Sequence, residues 1–144
     1  MFNFFKKSDS DLDDEKFVFD PDLIGCALAY EVAVSDGEID DTELLKIKSE
    51  ILKKSEQLNL NPDEVFKTIE HHNQESISFN DFINQINDNF LHEQKIQMIE
   101  FLWQTAYADN VLNVDEERLI RRIADMVRIK DMKVLKLKDQ ARNT

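Results

Sequence analysis

The sequence is poor in the residues that break helices. Its 144 residues include only two Gly and two Pro. All-β sandwiches and barrels need frequent turns, so this composition argues against them and favours long helices. No segment shows the sustained alternation of apolar and polar residues that is typical of strands. The length suits one compact domain with a single core.

Cysteine and long apolar runs are also scarce. The single cysteine, Cys26, excludes an internal disulfide and fits a reducing compartment. The longest apolar run, residues 23–34, contains Glu31, and it is shorter than the roughly 20 residues of a membrane-spanning helix. The segment MFNFFKK, followed by acidic residues, lacks the apolar core of a signal peptide. We therefore expect a soluble, cytoplasmic protein.

Charge is distributed unevenly along the chain. The formal net charge is −12, but residues 118–144 contain nine Lys or Arg and three Asp, so they carry +6 and the remainder carries −18. A mostly acidic chain is not expected to bind nucleic acid, whose phosphates require a dominant basic surface. The basic end could contact anionic lipid or an acidic partner. We expect it instead to lie against the acidic remainder of its own chain.

Composition separates a tail from a domain. Residues 1–17 are predicted to be a flexible or docked N-terminal tail, because SDSDLDDEK is polar and acidic as disordered segments are. Half of the ten Phe residues flank that stretch, and this aromatic surface favours docking on the core or a partner. Membrane contact is not favoured, since MFNFFKK is too short for stable anchoring. Residues 18–144 are predicted to form a single helical domain.

The apolar residues of the domain recur at helical spacing, and the spacing predicts seven helices. Asp20 and Pro21 are suited to start the first, Asn61 and Pro62 the third, and Ser78 the fourth. The predicted helices cover about residues 21–34, 41–57, 62–72, 79–90, 92–108, 114–127 and 131–141.

One short pattern occurs twice, 73 residues apart. AVSDGEIDDTELLKI, residues 33–47, aligns with AYADNVLNVDEERLI, residues 106–120, and seven positions match as A-x-x-D-[GN]-x-[IL]-[DN]-x-x-E-x-x-x-I. Each copy joins two predicted helices, so each is a helix–loop–helix hairpin. We expect the hairpins to pack face to face with pseudo-two-fold symmetry, because neither can bury a core alone.

Local structure explains most of the pattern. Gly37 and Asn110 tolerate the positive φ of a sharp turn. The segments 40–43 and 113–116 both read as capping boxes, each cap contributing about 1 kcal/mol. A metal ion is the alternative explanation. Neither loop is an EF-hand, because its twelfth position is Ile in both copies, and a loop with two or three carboxylates falls short of the about six to eight oxygens that Ca²⁺ takes. Capping alone is favoured, and weak metal binding stays open.

The doubled pattern, together with IEFLWQTAYADNVLNVDEERLIRRIADMVRI, resembles the tellurite-resistance TerB-like family. The likeness is closest to its small stand-alone bacterial branch, which ends in a Lys- and Arg-rich helix like KDMKVLKLKDQAR, and it covers about residues 20–141. The resemblance implies an all-α fold of about seven helices with pseudo-two-fold symmetry. It also implies a bacterial origin and a cytoplasmic or inner-membrane-associated setting.

The resemblance further implies a link to tellurite resistance and related stress, and divalent-cation binding by acidic residues. By motif match, the metal ligands are Asp36, Glu43, Asp109 and Glu116. Ca²⁺ or Mg²⁺ is favoured over Zn²⁺, since all four ligands offer oxygen. One departure from the family pattern is Asn110, which stands where Gly is usual and could narrow the space for an ion.

Other reactive residues favour structural roles. We expect Glu31, the only charge in residues 23–34, on the outer face of the first helix rather than buried with a shifted pKa. His71 and His72 are adjacent and cannot chelate one ion together. His71 and Glu75 could share a metal, but an exposed His near a helix C-terminus is the simpler interpretation. Cys26 is expected to be a buried, inert thiol.

No nucleophile–base pair, P-loop or dinucleotide fingerprint is visible, so an enzyme ranks last. The sequence predicts a non-enzymatic helical module with two open hypotheses. In the first, the four repeat carboxylates bind a divalent cation weakly in metal or metalloid stress. In the second, the protein is an interaction scaffold that meets partners through its acidic face or basic C-terminal helix, and the carboxylates only cap helices.

Overall fold

A computed structural model describes residues 21–35, 37–74 and 79–143, and over these residues the chain forms seven α-helices and no strand. The all-α prediction is confirmed. The predicted tail, residues 1–17, and the predicted caps Asp20 and Ser78 lie outside the described residues. The helices are α1 (Pro21–Ala33), α2 (Asp41–Leu58), α3 (Pro62–Gln74), α4 (Phe79–Asn89), α5 (His92–Ala106), α6 (Val114–Met126) and α7 (Asp131–Arg142).

Helix α1 lies at the centre of the fold. Its side chains Leu23, Ile24, Leu28 and Val32 are at most 2% exposed. It contacts α2, α3, α4, α5 and α6. A helix that is apolar on nearly all sides must be surrounded by other elements, which explains the apolar run that begins at residue 23. No helix in the described part of the chain is both long enough and apolar enough to cross a membrane.

The two loops of the repeat lie at one end of this core. Loop 1 (residues 34–40) joins α1 to α2, and loop 2 (residues 107–113) joins α5 to α6. Because α1 and α2 both pack against α5, and α1 also contacts α6, the loops are neighbours. Matching residues flank them: Ile47 and Ile120 are both fully buried. The two copies of the repeat are therefore equivalent at their loops, and pseudo-two-fold symmetry of the whole chain stays a prediction.

In the described part of the chain, the basic end packs on the acidic remainder through α7 and α5, and one of its charges pairs with a residue of that remainder. Arg121 pairs with Asp131, and Arg142 with Asp139, both at 3.1 Å. Lys138 reaches only to Glu117, at 2.7 Å. The packing of α7 on α5 uses apolar residues and leaves most Lys and Arg side chains outside, so apolar contacts rather than charge pairs hold the basic end in place. The buried residues of α7 are Val134, Leu137 and Ala141.

Candidate functional site at the junction of the two loops

The two loops make the same turn. The Gly37 amide donates to the Val34 carbonyl at 3.0 Å, and the Asn110 amide donates to the Tyr107 carbonyl at 2.8 Å. Gly37 has φ of 96° and Asn110 has φ of 67°. This left-handed region is open to Gly and tolerated by Asn, which explains both residue choices. The turn predicted from the sequence is therefore confirmed.

Each loop ends in a side-chain cap on the following helix. Asp40 Oδ1 accepts hydrogen bonds from the amides two and three residues on, at 2.8 and 3.4 Å. Asn113 Oδ1 does the same at 2.8 and 3.3 Å. Both cap residues have the extended backbone expected of an N-cap. The predicted N-caps are confirmed, and they satisfy the helix amides without help from another side chain.

The carboxyl groups three residues after the caps have a different role. Glu43 and Glu116 are 3% and 2% exposed. Their side chains hydrogen-bond to each other across the two loops. The second oxygen of Glu43, Oε1, is buried and accepts no hydrogen bond from any described residue. Glu43 therefore does not complete the capping box that the sequence predicted, because its side chain turns inward to meet the other loop.

This contact changes the protonation of Glu43. Burial, the hydrogen bond with Glu116 and the negative charges of Glu116, Asp109 and Asp40 raise the pKa of Glu43 to about 9. Two adjacent buried carboxyl groups cannot both be ionised, so one of them keeps its proton. At neutral pH the contact is an acid–carboxylate pair that holds a single proton. A cation at this position would replace that proton and bind the ionised pair.

The loops border an open cavity, which we name the junction pocket. Its volume is about 510 Å³, and it is lined by residues 38–40 and 43 on one side and by residues 109, 111–114 and 116 on the other. Five of these described lining residues are acidic and none is basic. The pocket therefore offers carboxylate oxygens, which are the ligands that hard divalent cations prefer.

The structure brings three of the four predicted metal ligands to the junction pocket. Glu43 and Glu116 are in contact, and Asp109 lines the pocket. Asp109 Oδ1 also accepts a hydrogen bond from the Val111 amide at 3.0 Å, as the Asx interpretation predicted. Asp36 lies outside the described residues. No three His, Cys, Asp or Glu side chains within the described ranges are arranged to hold a metal, so the ligand set stays a prediction.

Sequence reasoning missed two acidic residues of the pocket. Glu38 and Asp40 line it, yet Asp40 was considered only as a cap and Glu38 was not considered. A signal was present, because the positions equivalent to these two residues in the second copy are Val111 and Asn113. Loop 1 is therefore the more acidic of the two loops, and the charge is concentrated on that side of the pocket.

Glu31 departs from its expected place, whereas Cys26 does not. Glu31 is half-buried rather than on the outer face, and burial raises its pKa against the opposing effect of a hydrogen bond with Asn73. This hydrogen bond joins α1 to α3. Cys26 is 1% exposed and forms no disulfide, so the expected burial of the thiol is confirmed. Neither residue lines the junction pocket.

His71 is exposed near the end of α3, as expected, whereas the adjacent His72 is buried. The side chain is 2% exposed, and its ring stacks on that of Phe82 with 4.9 Å between centroids. Burial lowers the pKa of His72 to about 4, against the opposing effect of Asp81. The ring is therefore neutral at physiological pH and joins α3 to α4 as an aromatic core residue.

Comparison with known proteins gives one match. The family model described as "Tellurite resistance protein TerB" matches residues 23–139, which include both loops, all of α2 to α6 and most of α1 and α7. The match confirms the resemblance found in the sequence. No curated protein and no solved structure matches the chain.

Proposed function

The chain belongs to the tellurite resistance protein TerB family, and we propose that within it the chain is a cytoplasmic, non-enzymatic module that binds a divalent cation in the junction pocket. One observation carries the proposal. Two buried carboxyl groups, Glu43 at the start of α2 and Glu116 at the start of α6, meet each other beside an open acidic cavity. The cation would replace the proton that the pair now holds.

The burial of these groups supports a role beyond folding. Two carboxyl groups next to each other in a protein interior are costly unless a positive charge or donors compensate. The lining residues that are described include no Lys or Arg. Capping does not require Glu43, because Asp40 alone satisfies the amides at the start of α2. A cation bound between the loops would explain why position 43 is Glu, which capping does not explain.

The ligand chemistry favours Ca²⁺, Mg²⁺ or Mn²⁺. Glu43, Asp109 and Glu116 offer carboxylate oxygens in or beside the pocket, and the sequence adds Asp36 to this set. Zn²⁺ sites in proteins use His and Cys ligands far more often. Water and backbone carbonyls would complete the coordination. The bound ion would link the starts of α2 and α6 by its charge, and the chain would act through that stabilised arrangement rather than by catalysis.

Calorimetric titration of chelator-stripped protein tests the proposal. We expect saturable binding of at least one of Ca²⁺, Mg²⁺ and Mn²⁺, with release of about one proton per ion at pH 7, because Glu43 must ionise. Repeating the titration in buffers of different ionisation enthalpy measures that proton. Glu43→Gln should abolish the binding, and the Asp36→Asn, Asp109→Asn pair should weaken it. Asp41→Asn, which removes an exposed carboxylate from the same turn of α2, is the matched control.

Two results would count against the cation. One is the absence of binding up to millimolar ion, and the other is unchanged binding by Glu43→Gln. If neither ion binding nor proton release is detected, the repeat carboxylates have only a structural role.

A second function, a protein-interaction scaffold, is favoured by the basic end. Met132 is 84% exposed on α7. The basic end also contains six Lys and Arg side chains that form no salt bridge with any other described residue. An exposed apolar side chain among cations suits an acidic protein partner. These basic residues are Arg118, Arg122, Arg128, Lys130, Lys133 and Lys136.

Affinity capture from a bacterial lysate tests the scaffold. We expect Lys133→Glu with Lys136→Glu to lose salt-sensitive partners that the wild-type chain retains, as identified by mass spectrometry. Lys46→Glu with Lys53→Glu is the matched control, because it reverses two charges on α2 instead of α7. Equal loss in both variants would indicate a nonspecific charge effect and would exclude α7 as the surface.

A further inference from the structure

The rim of the junction pocket has different chemistry on its two sides. Loop 2 and the start of α6 present Val111 and Val114, which are 66% and 61% exposed. The positions 73 residues earlier are Glu38 and Asp41, and both are exposed. Because the two loops share their turn and cap hydrogen bonds, the valines and the carboxylates are at equivalent positions of the repeat. Val111, Val114 and Glu38 line the cavity, and Asp41 follows the lining residue Asp40 in the chain.

Folding does not account for the valines. Val114 is the first residue of α6, where an acidic residue would favourably meet the positive end of the helix dipole, as Asp41 does at the start of α2. Neither valine belongs to the core. Two apolar side chains exposed on the rim of one pocket and facing a row of carboxylates are suited to an occupant that is apolar on one side and basic on the other.

The chain contains such an occupant. Residues 2–7, FNFFKK, combine three Phe with two Lys, and they lie outside the described residues. We propose that residues 2–7 dock on the rim of the junction pocket, with their aromatic part on the Val111 and Val114 side and their lysines on the Glu38 side. The occupant is the segment of the same chain. The proposal does not depend on cation binding.

Length and charge favour this segment over other occupants. Lys7 precedes Pro21 by 14 residues, which can span up to about 45 Å when extended. A domain of this size has a radius of gyration of about 15 Å, so the segment can reach the rim from the start of α1. The other basic stretch, residues 118–142, forms α6, α7 and the short connection between them. The apolar residues of that connection, Val127 and Ile129, are buried in the core, so the stretch cannot offer them to the rim.

A spin label on the segment tests the docking. Asn3→Cys carries a nitroxide in a full chain in which Cys26 is replaced by Ala, and methyl NMR spectra are recorded with chelator present. We expect strong broadening of the Val111 and Val114 methyl resonances, since they would lie close to residue 3. The methyl groups of Leu52 on α2 and Leu135 on α7, which are also exposed, are the controls and should stay sharp.

Charge reversal on the rim provides the matched variant. Glu38→Lys with Asp41→Lys leaves both valines in place, and we expect it to reduce the broadening several-fold, as should added salt. Circular dichroism of the variant checks that the helices are intact. A dilution series checks which chain supplies the segment: we expect broadening that is independent of concentration, and broadening that is lost on dilution would assign the segment to a second copy instead.

Three results would overturn the proposal. The first is sharp Val111 and Val114 resonances in the labelled wild-type chain. The second is equal broadening of the control methyl groups, which would show transient contact over the whole surface. The third is broadening that is unchanged by the charge reversal. If the label is immobilised only when phosphatidylglycerol vesicles are added, the segment binds a membrane instead of the rim.

Discussion

Loop 1 and loop 2 have the same backbone turn and the same kind of cap, but they differ wherever a side chain faces solvent. The residues at positions 38, 40 and 41 are acidic in loop 1 and at the start of α2, whereas the equivalent residues at 111, 113 and 114 are Val, Asn and Val. The identical pairs include the buried ones: Ala33 and Ala106, Glu43 and Glu116, and Ile47 and Ile120. The two buried glutamates are therefore identical between the two copies of the repeat, as the core residues are, although they are the most polar of the buried groups.

The largest effect should come from breaking the pair of glutamates. The pKa of Glu43 is raised from 4.5 to about 9 in the folded state, so the folded protein binds one proton more than the unfolded chain at pH values between these limits. The stabilising contribution is complete below pH 4.5 and is lost as pH rises towards 9. In chelator, Glu43→Gln should remove this loss and stabilise the fold at pH 8 by about 2–4 kcal/mol.

Urea unfolding at pH 5 and pH 8 checks this prediction, since the wild-type and Glu43→Gln free energies of unfolding should diverge with pH. Asp41→Asn removes a nearby exposed carboxylate and should follow the wild-type slope. Parallel wild-type and Glu43→Gln curves would show that Glu43 is ionised in the folded state and holds no proton.

His72 supplies a second pH dependence, of opposite sign and on another part of the fold. Its pKa falls from 6.5 to about 4 on burial, so stability is present above pH 6.5 and is lost as pH falls through 4. Between pH 7 and pH 5, the free energy of unfolding should fall by about 1–2 kcal/mol less in His72→Gln than in the wild-type protein. Unfolding curves at both pH values test the prediction against the exposed neighbour His71→Gln, and an equal fall in His72→Gln and the wild-type protein would contradict it.

Removing the cap of α2 and removing the cap of α6 should cost different amounts of stability, although the repeat makes the two caps equivalent. Removing a cap costs about 1 kcal/mol, so Asn113→Ala should destabilise by about that amount. Asp40→Ala loses the same kind of hydrogen bonds, but it also removes a negative charge that acts on Glu43. We therefore expect its cost in chelator at pH 8 to be smaller, about 0.5 kcal/mol. Thermal unfolding of both variants measures the difference, and a larger cost for Asp40→Ala would contradict this reasoning.

The smallest effect should come from exchanging the turn residues. Gly37 has φ of 96°, and no described atom lies within 4 Å of a Cβ placed there, so the cost of Gly37→Asn is one of backbone conformation only. We expect about 0.5–1 kcal/mol of destabilisation. Asn110→Gly should be within about 0.5 kcal/mol of wild type, because both residues accept its φ of 67°. Urea unfolding of the two variants tests this order.

The features that sequence predicted well are local ones. The helices, the turns at Gly37 and Asn110 and the caps at Asp40 and Asn113 depend on residues within a few positions of one another. The contact between Glu43 and Glu116 depends on how α2 and α6 are brought together, which no short pattern contains. Once the two carboxyl groups are buried, their mutual repulsion favours a shared proton, and the capping-box prediction for Glu43 fails.

Contacts between helices also explain the burial of His72 and the orientation of the basic end. His72 follows a polar pattern at the end of α3, and its burial depends on Phe82 of the next helix. The orientation of the basic end likewise depends on the apolar residues of α7, because burying Val134 and Leu137 contributes more than exposed salt bridges do.

The central position of α1 has a consequence during synthesis. Its apolar surface is covered in part by α5 and α6, which begin at His92 and Val114. A ribosome adds about 5–20 residues per second. The helices that cover α1 therefore leave the ribosome several seconds after it. During that interval the nascent chain contains a helix with almost no polar face, which is exposed to solvent or bound by a chaperone until α5 and α6 pack against it.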